Sequence, residues 1–135
     1  MPTQIEIVSP DRLLLSQPVD MAVIPAAEGD MGVLPGHAPM IVLLRGGTIV
    51  LHEGGKPTAR LFVSGGFAEV TSERCTILAD EAIPVADVSR AKADARLAAA
   101  EAGYVAADKT DIALLDSLMG QIQSARAMVL AAEAP

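Results

Sequence analysis

Glu28-Gly-Asp-Met-Gly-Val-Leu-Pro-Gly-His-Ala-Pro39 decides how the rest of this chain is read. Three glycines and two prolines surround one short apolar run, Met31 to Leu34. Glycine reaches φ > 0 and lets backbone approach backbone, whereas proline fixes φ and withholds an amide hydrogen. The stretch therefore reads as a loop with a strand inside it, and glycine and proline taken alone mark a tight double turn in a β domain.

Working outward, Ile5 and Ile7 alternate with Gln4 and Glu6, the period-two signature of a half-buried strand, and Ser9-Pro10-Asp11 supplies turn chemistry. Leu13–Leu15 and the alternating Val19, Met21 and Val23 give the second and third strands, the latter stopping at Pro25. Met40 to Leu44 is continuously apolar, which predicts a strand buried on both faces, ended by Gly46-Gly47. Thr48–Leu51 and Arg60–Val63 flank Glu53-Gly54-Gly55-Lys56, a hairpin turn, and Phe67–Val70 and Cys75–Leu78 flank Thr71-Ser72-Glu73. Short strands at near-regular spacing from residue 3 to residue 80 indicate an antiparallel β-sandwich or flattened barrel.

After Ile83-Pro84 glycine and β-branched residues give way to alanine, the best helix former. The chain thus divides into a sandwich over residues 1–84 and an antiparallel two-helix hairpin over 85–135. Asp87 is placed to cap a first helix from Val88 to Ala102, with Gly103 as its stop; Ala91, Ala95, Ala98, Ala99 and Ala102 give it a low-relief face. Thr110 or Asp111 caps the second helix, whose seam is Ile112, Leu115, Met119, Ile122 and Val129, with Arg126 the odd member among them. Gly120 in mid-helix costs up to about 1 kcal/mol against alanine, which predicts close contact with the alanine face of the first helix.

Composition excludes several functions. At 135 residues and 51% hydrophobic residues there is one core and a small appendage. Aromatic residues make up 2% and the net charge is −7, so a nucleic acid would find neither stacking surface nor attraction. Cys75 is the only cysteine, expected as a buried core thiol in a reducing compartment. No N-terminal signal is visible and no apolar run nears the roughly 20 residues that cross a bilayer, so membrane association is expected only through another protein. His37, His52 and Cys75 show no metal-ligand spacing. Val63-Ser64-Gly65-Gly66 lacks the first glycine of a nucleophile elbow, and near Gly55-Lys56 a P-loop would need glycine at Val50 and a hydroxyl at Pro57. No catalytic machinery is visible, and partners are expected to be proteins.

Together with Phe62-Val-Ser-Gly-Gly-Phe67 and Thr76-Ile-Leu-Ala-Asp80, the Glu28–Pro39 stretch resembles the epsilon subunit family of the bacterial rotary ATP synthase, which includes the mitochondrial delta subunit. The resemblance covers nearly the whole chain. It implies a ten-stranded sandwich with a helical hairpin, in a non-catalytic central-stalk protein that couples rotor-ring rotation to ATP synthesis. The implied partners are the gamma subunit and the rotor-ring c subunits, plus the catalytic alpha and beta subunits if the hairpin extends and restrains ATP hydrolysis. The implied location is peripheral, on the cytoplasmic side of the bacterial inner membrane.

Carried over by the same resemblance, Glu28, Asp30, Met31, His37 and Pro39 are the rotor-ring and stalk contacts. Asp87-Val88-Ser89-Arg90-Ala91 is similar to an Asp-x-x-Arg-Ala motif that binds ATP in relatives, although Ala86 replaces a larger aliphatic residue. That implies ATP as a regulatory ligand held by Asp87, Arg90 and Arg126, with no cofactor required. The alternative for these three residues is a plain helix cap, a solvated Arg90, and an Arg126 that snorkels or pairs with a carboxylate such as Asp94. Two other function classes stay open at this stage: a small-ligand-binding β-sandwich and a freestanding helical-hairpin adaptor.

Overall fold

Alternating burial builds the first part of the molecule. In the computed structural model, which describes residues 2–133, ten strands follow one another: β1 (Thr3–Val8), β2 (Leu13–Val19), β3 (Met21–Ala26), β4 (Gly29–Val33), β5 (Met40–Leu44), β6 (Gly47–Glu53), β7 (Lys56–Val63), β8 (Gly66–Val70), β9 (Arg74–Ala79) and β10 (Ala82–Pro84). A 3₁₀ turn at Val85–Asp87 leads to helices α1 (Arg90–Ala106) and α2 (Ile112–Glu133). The strand order is β10-β7-β6-β3-β5-β8-β9-β1-β2, with β4 paired to β3. All pairs are antiparallel except β1 with β9, which run parallel. The sheet folds on itself around Ile5, Ile7, Ile24, Ile49, Leu51 and Ile77, each fully buried.

Hairpin chemistry is where the sequence placed it. Gly54 and Gly55 have φ of 60° and 76°, the paired positive values that a two-residue turn between twisted strands requires, and Glu53 faces Lys56 across it. Cys75 lies in the core, and burial pushes its thiol up to about 11.

Two strands differ from the sequence reading. In β3 the inward face is Ala22 and Ile24, while Met21 and Val23 are only half-buried, and Pro25 lies buried inside the strand. A turn at Asp20, whose carboxylate accepts from the Gly54 amide at 2.6 Å, leaves Val19 at the end of β2, and β3 starts at Met21 with its inward face shifted one residue from the expected alternation. β5 is not buried on both faces. Val42 and Leu44 point inward, whereas Ile41 and Leu43 are 75% and 67% exposed, beside Phe67 of β8 at 43%. An apolar run cannot by itself tell a doubly covered strand from one whose outer face awaits another chain.

The helices also depart from expectation in their facing and ends. Ser89, not Asp87, caps α1: its hydroxyl accepts from the Lys92 amide at 3.2 Å, and Asp87 sits in the preceding 3₁₀ turn. The helix runs through Gly103 to Ala106, where the Lys109 ammonium bonds the carbonyls of Tyr104, Val105 and Ala107. Asp111 caps α2 through the Leu114 amide at 3.2 Å.

The inward face of α1 is Ala93, Leu97, Ala100 and Gly103, while Ala91, Ala95, Ala98, Ala99 and Ala102 face solvent. On α2 the buried line is Ala125, Met128 and Ala131, and Ile112 and Met119 are exposed. Alanine on nearly every face leaves little hydrophobic contrast, so docking decides which face turns inward. Met128, Ala131 and Ala93 close over Phe62 of β7, which is fully buried yet belongs to this second cluster and not to the sandwich core.

The glycines invert the expectation for the interhelical contact. A Cβ on Gly120 would meet nothing within 4 Å, whereas one on Gly103 would lie 3.2 Å from Leu118 Cδ2 and one on Gly46 only 2.5 Å from the Cα of Ser124. Gly120→Ala is therefore expected to stabilise the protein by about 0.5–1 kcal/mol, read as a rise in Tm, and Gly46→Ala to destabilise hairpin docking by about 1–3 kcal/mol, read as faster amide exchange in α2 with unchanged exchange in β1 and β9.

Candidate functional site: the loop and hairpin surfaces

The Glu28–Pro39 stretch folds as two loops joined by β4. Gly29 to Val33 pairs with Ala26 to Ala22 in a hairpin, which puts Glu28 at its tip. Five residues of strand, about 16 Å, then separate this tip from Leu34–Pro39. The contact residues read from sequence are thus strung along β4 and not gathered at one point. Glu28 is exposed at the tip; Asp30 follows it and bonds Arg45 at 2.7 Å; Met31 is half-buried against the core. At the far end Gly36, with φ 82°, donates its amide to Ser72 O at 2.8 Å, and this bond and turn hold His37 and Pro39 beside the β8–β9 turn. Leu34 and Met40 stand exposed around them at 53% and 40%.

Sequence reasoning did not single out Arg45, Gly46 or Gln123, which organise the opposite end. Arg45 donates its amide to Pro25 O at 2.9 Å and one guanidinium nitrogen to Ala26 O at 2.5 Å, while the other holds Asp30. Gly46 then offers both backbone groups to one side chain. Its amide donates to Gln123 Oε1 at 2.9 Å, and Gln123 Nε2 donates to Gly46 O at 2.7 Å. A carboxamide matches a peptide group donor for acceptor, so α2 is clasped to the β5–β6 connection. The signal available in the sequence was the pair Gly46-Gly47, read there only as a turn.

One ion pair fastens the hairpin to the sandwich, and two more lie within the hairpin. Arg96 of α1 grips Glu81 through both guanidinium nitrogens, at 2.5 and 2.7 Å. Arg90 bonds Asp94 at 3.2 Å and reaches Glu133 at the end of α2 at 2.9 Å. The three residues suggested for ATP are placed separately. Asp87 lines a cavity of about 1010 Å³ between the edge strands β2 and β10, with Arg12, Leu14, Pro57 and Ile83. Arg126 lines another of about 790 Å³, between α2 and β6, with Arg45, Arg60 and Tyr104. Arg90 has its guanidinium committed to two carboxylates. Arg60 lines both cavities, and a ligand shared by the three residues would have to draw Arg90 away from Asp94 and Glu133.

Residues 2–85 match the family model described as the ATP synthase delta/epsilon chain, beta-sandwich domain. The chain belongs to this family. It is 65% identical to the ATP synthase epsilon chain of Granulibacter bethesdensis over 130 residues, covering 96% of each, and 53% identical to that of Gluconacetobacter diazotrophicus over 135 residues, covering all of this chain and 96% of the relative. Among solved structures it superposes with TM-score 0.77 and 26% identity on a chain of the Euglena gracilis mitochondrial ATP synthase, in a structure of OSCP, F1 and c-ring, covering 96% of this chain and 81% of that one. The ten strands and the paired helices are the architecture that the family resemblance implied. No helix among the described residues is long and apolar enough to cross a membrane.

Arg96 holds the Glu81 carboxyl below the ordinary 4.5, chiefly by hydrogen bonding and then by charge, against an opposing desolvation. A depressed folded-state value means the contribution is complete above the unfolded value and is lost as pH falls through the folded one. Because both groups are partly exposed, the effect is modest. The protection factors of α1 amides, taken relative to intrinsic exchange at each pH, should therefore fall on acidification below about pH 4.5, and Glu81→Gln should remove that acid step while already lowering protection at pH 7.

Proposed function

We propose that this chain works as the epsilon subunit of a proton-translocating F1Fo ATP synthase, a non-catalytic member of the central stalk that transmits rotor-ring rotation toward the catalytic subunits. The observation that carries this is near-full-length identity of 65% to an epsilon chain, together with a fold likeness over 96% of the chain to a member of a c-ring assembly. The chain then sits peripherally at the membrane-bound complex, on the cytoplasmic side of the bacterial inner membrane, with gamma and the c-ring as its partners. A pull-down from native membranes tests this: gamma and the catalytic subunits are expected to co-purify, and recovery of the chain alone would overturn it.

The chemistry of the surfaces supports a division of labour. Glu28 and Asp30 at the β3–β4 tip suit basic groups on the ring loops; His37, Pro39 and Met31 extend the contact along β4; the exposed Ile41, Leu43 and Phe67 offer gamma an apolar seat. Glu28→Lys with Asp30→Lys is expected to lower ATP-driven proton pumping relative to hydrolysis while the circular dichroism spectrum stays unchanged. Full coupling in a stably assembled double mutant would remove these residues from the ring contact.

The hairpin reading is that α1 and α2 leave the sandwich and restrain ATP hydrolysis when extended along gamma toward alpha and beta. What supports it is the modest apolar area of the docked face, mostly alanine with Met128 and Phe62. A fragment ending at Val85 retains every strand and is expected to fold and bind gamma, with Phe62 newly exposed, and the assembled enzyme should hydrolyse ATP faster than with the full chain. ATP as a regulatory ligand of Asp87, Arg90 and Arg126 is the narrower proposal, supported by the Asp87–Ala91 match. Titration calorimetry should then give a binding heat that alanine at any of the three weakens; no heat at millimolar ATP would dismiss it.

A further inference from the structure

The β3–β4 tip and the helical hairpin meet through one short run of bonded groups. We propose that Asp30, Arg45, Gly46 and Gln123 form a relay by which neutralisation of Asp30, as by a cationic group of a docked partner, loosens the seat of the helical hairpin. The proposal rests on the reading of the hairpin as a part that undocks.

The run begins at a carboxylate open to competition. Asp30 has a side chain 64% exposed, so an incoming ammonium or guanidinium reaches it, and its partner Arg45 is 34% exposed. Arg45 is the inner member. Its guanidinium spans Asp30 and the Ala26 carbonyl, and its amide donates to Pro25 O, so this one residue pins the end of β5 to the end of β3 by backbone and side chain together. β3 and β5 share a single paired position, Ala26 with Leu44, and apart from the Arg45 bonds this junction is held by the Ala27 amide donating to Leu43 O at 2.8 Å. Gly46 is the next residue along. Both its backbone groups meet Gln123, and the Ser124 backbone lies where a Cβ would be.

A two-bond match between a carboxamide and a peptide group tolerates little displacement, since hydrogen bonds weaken steeply off line. When Asp30 is engaged elsewhere, Arg45 loses the anion that orients its fork, the β3–β5 end relaxes, and the Gly46 peptide no longer meets Gln123 squarely. Hairpin docking is the two-position element that such coupling needs. Glu28, on the same tip, has no bond to Arg45 and lies outside the relay.

The test uses the full chain with spin labels at Glu53→Cys and Val105→Cys; the native Cys75, fully buried, does not react. Pulsed dipolar spectroscopy reads the ratio of undocked to docked hairpin. Asp30→Asn is expected to raise it about threefold, a size typical of an exposed ion pair, and Gln123→Ala about tenfold, that of two partly buried hydrogen bonds. In the Gln123→Ala background Asp30→Asn should change the ratio by less than about 1.5-fold, because the downstream link is already cut. Glu28→Gln should leave it unchanged. No change in Asp30→Asn, or the same factor in both backgrounds, overturns the relay while leaving a detachable hairpin standing. A single docked population even in Gln123→Ala overturns both.

Discussion

The absence of a side chain at Gly46 is the constraint from which the placement of the helices follows. A Cβ there would lie 2.5 Å from the Cα of Ser124, so α2 reaches the sandwich only because that space is free. Its neighbour repeats the requirement in the other direction: a Cβ on Gly47 would lie 2.6 Å from Cβ of Pro25. Arg45, Gly46 and Gly47 thus join three bodies in as many residues: the β3 end, α2 and the start of β6. Gln123 satisfies both backbone groups of Gly46, which is buried and would otherwise leave them unpaired.

Two apolar clusters of unequal size follow from that arrangement. The sandwich core is built mainly of β-branched and leucine side chains from nine strands, with alanines and Cys75 between them, and the hairpin cluster is Phe62 with Met128, Ala93 and Ala131. The first holds the fold together. The second buries little area per residue, since alanine brings one methyl group, and leans on polar fasteners to the sandwich at Gly46 and Glu81. Solvent-exposed ion pairs contribute at most about 1 kcal/mol each, so the helices can separate from the sandwich at a cost far below that of unfolding it.

Strand existence and hairpin turns were legible in the sequence because each rests on a local rule: Ile5 and Ile7 alternate, and Gly54-Gly55 supplies positive φ. The parallel pairing of β1 with β9 was not legible, since it joins residues about 70 positions apart with no turn between them to announce it. Alanine hid the helix faces, and Ser89 displaced Asp87 as cap because two capping candidates two residues apart differ only in where the 3₁₀ turn ends. At the candidate site, the exposed Glu28 and the Asp30 carboxylate were visible as types, but the Arg45 bond to Asp30 and the Gln123 clasp are contacts across 15 and 77 residues. No pattern in one sequence carries contacts of that kind.

The reading of Met40–Leu44 as doubly buried failed for a reason that bears on function. Ile41, Leu43 and Phe67 obey the alternation of their strands, yet nothing among the described residues covers them, which is where a local rule gives way to a partner. The strip remains open with the hairpin docked on the Phe62 side, so occupation of one surface does not require vacating the other. They are not independent, however. Leu43 and Phe67 form one wall of a cavity of about 1010 Å³ whose other wall is Arg96, Ser117 and Gln121 of the helices. A chain seated along the strip therefore meets the flank of the docked hairpin, and the position of the helices sets how far that seat extends.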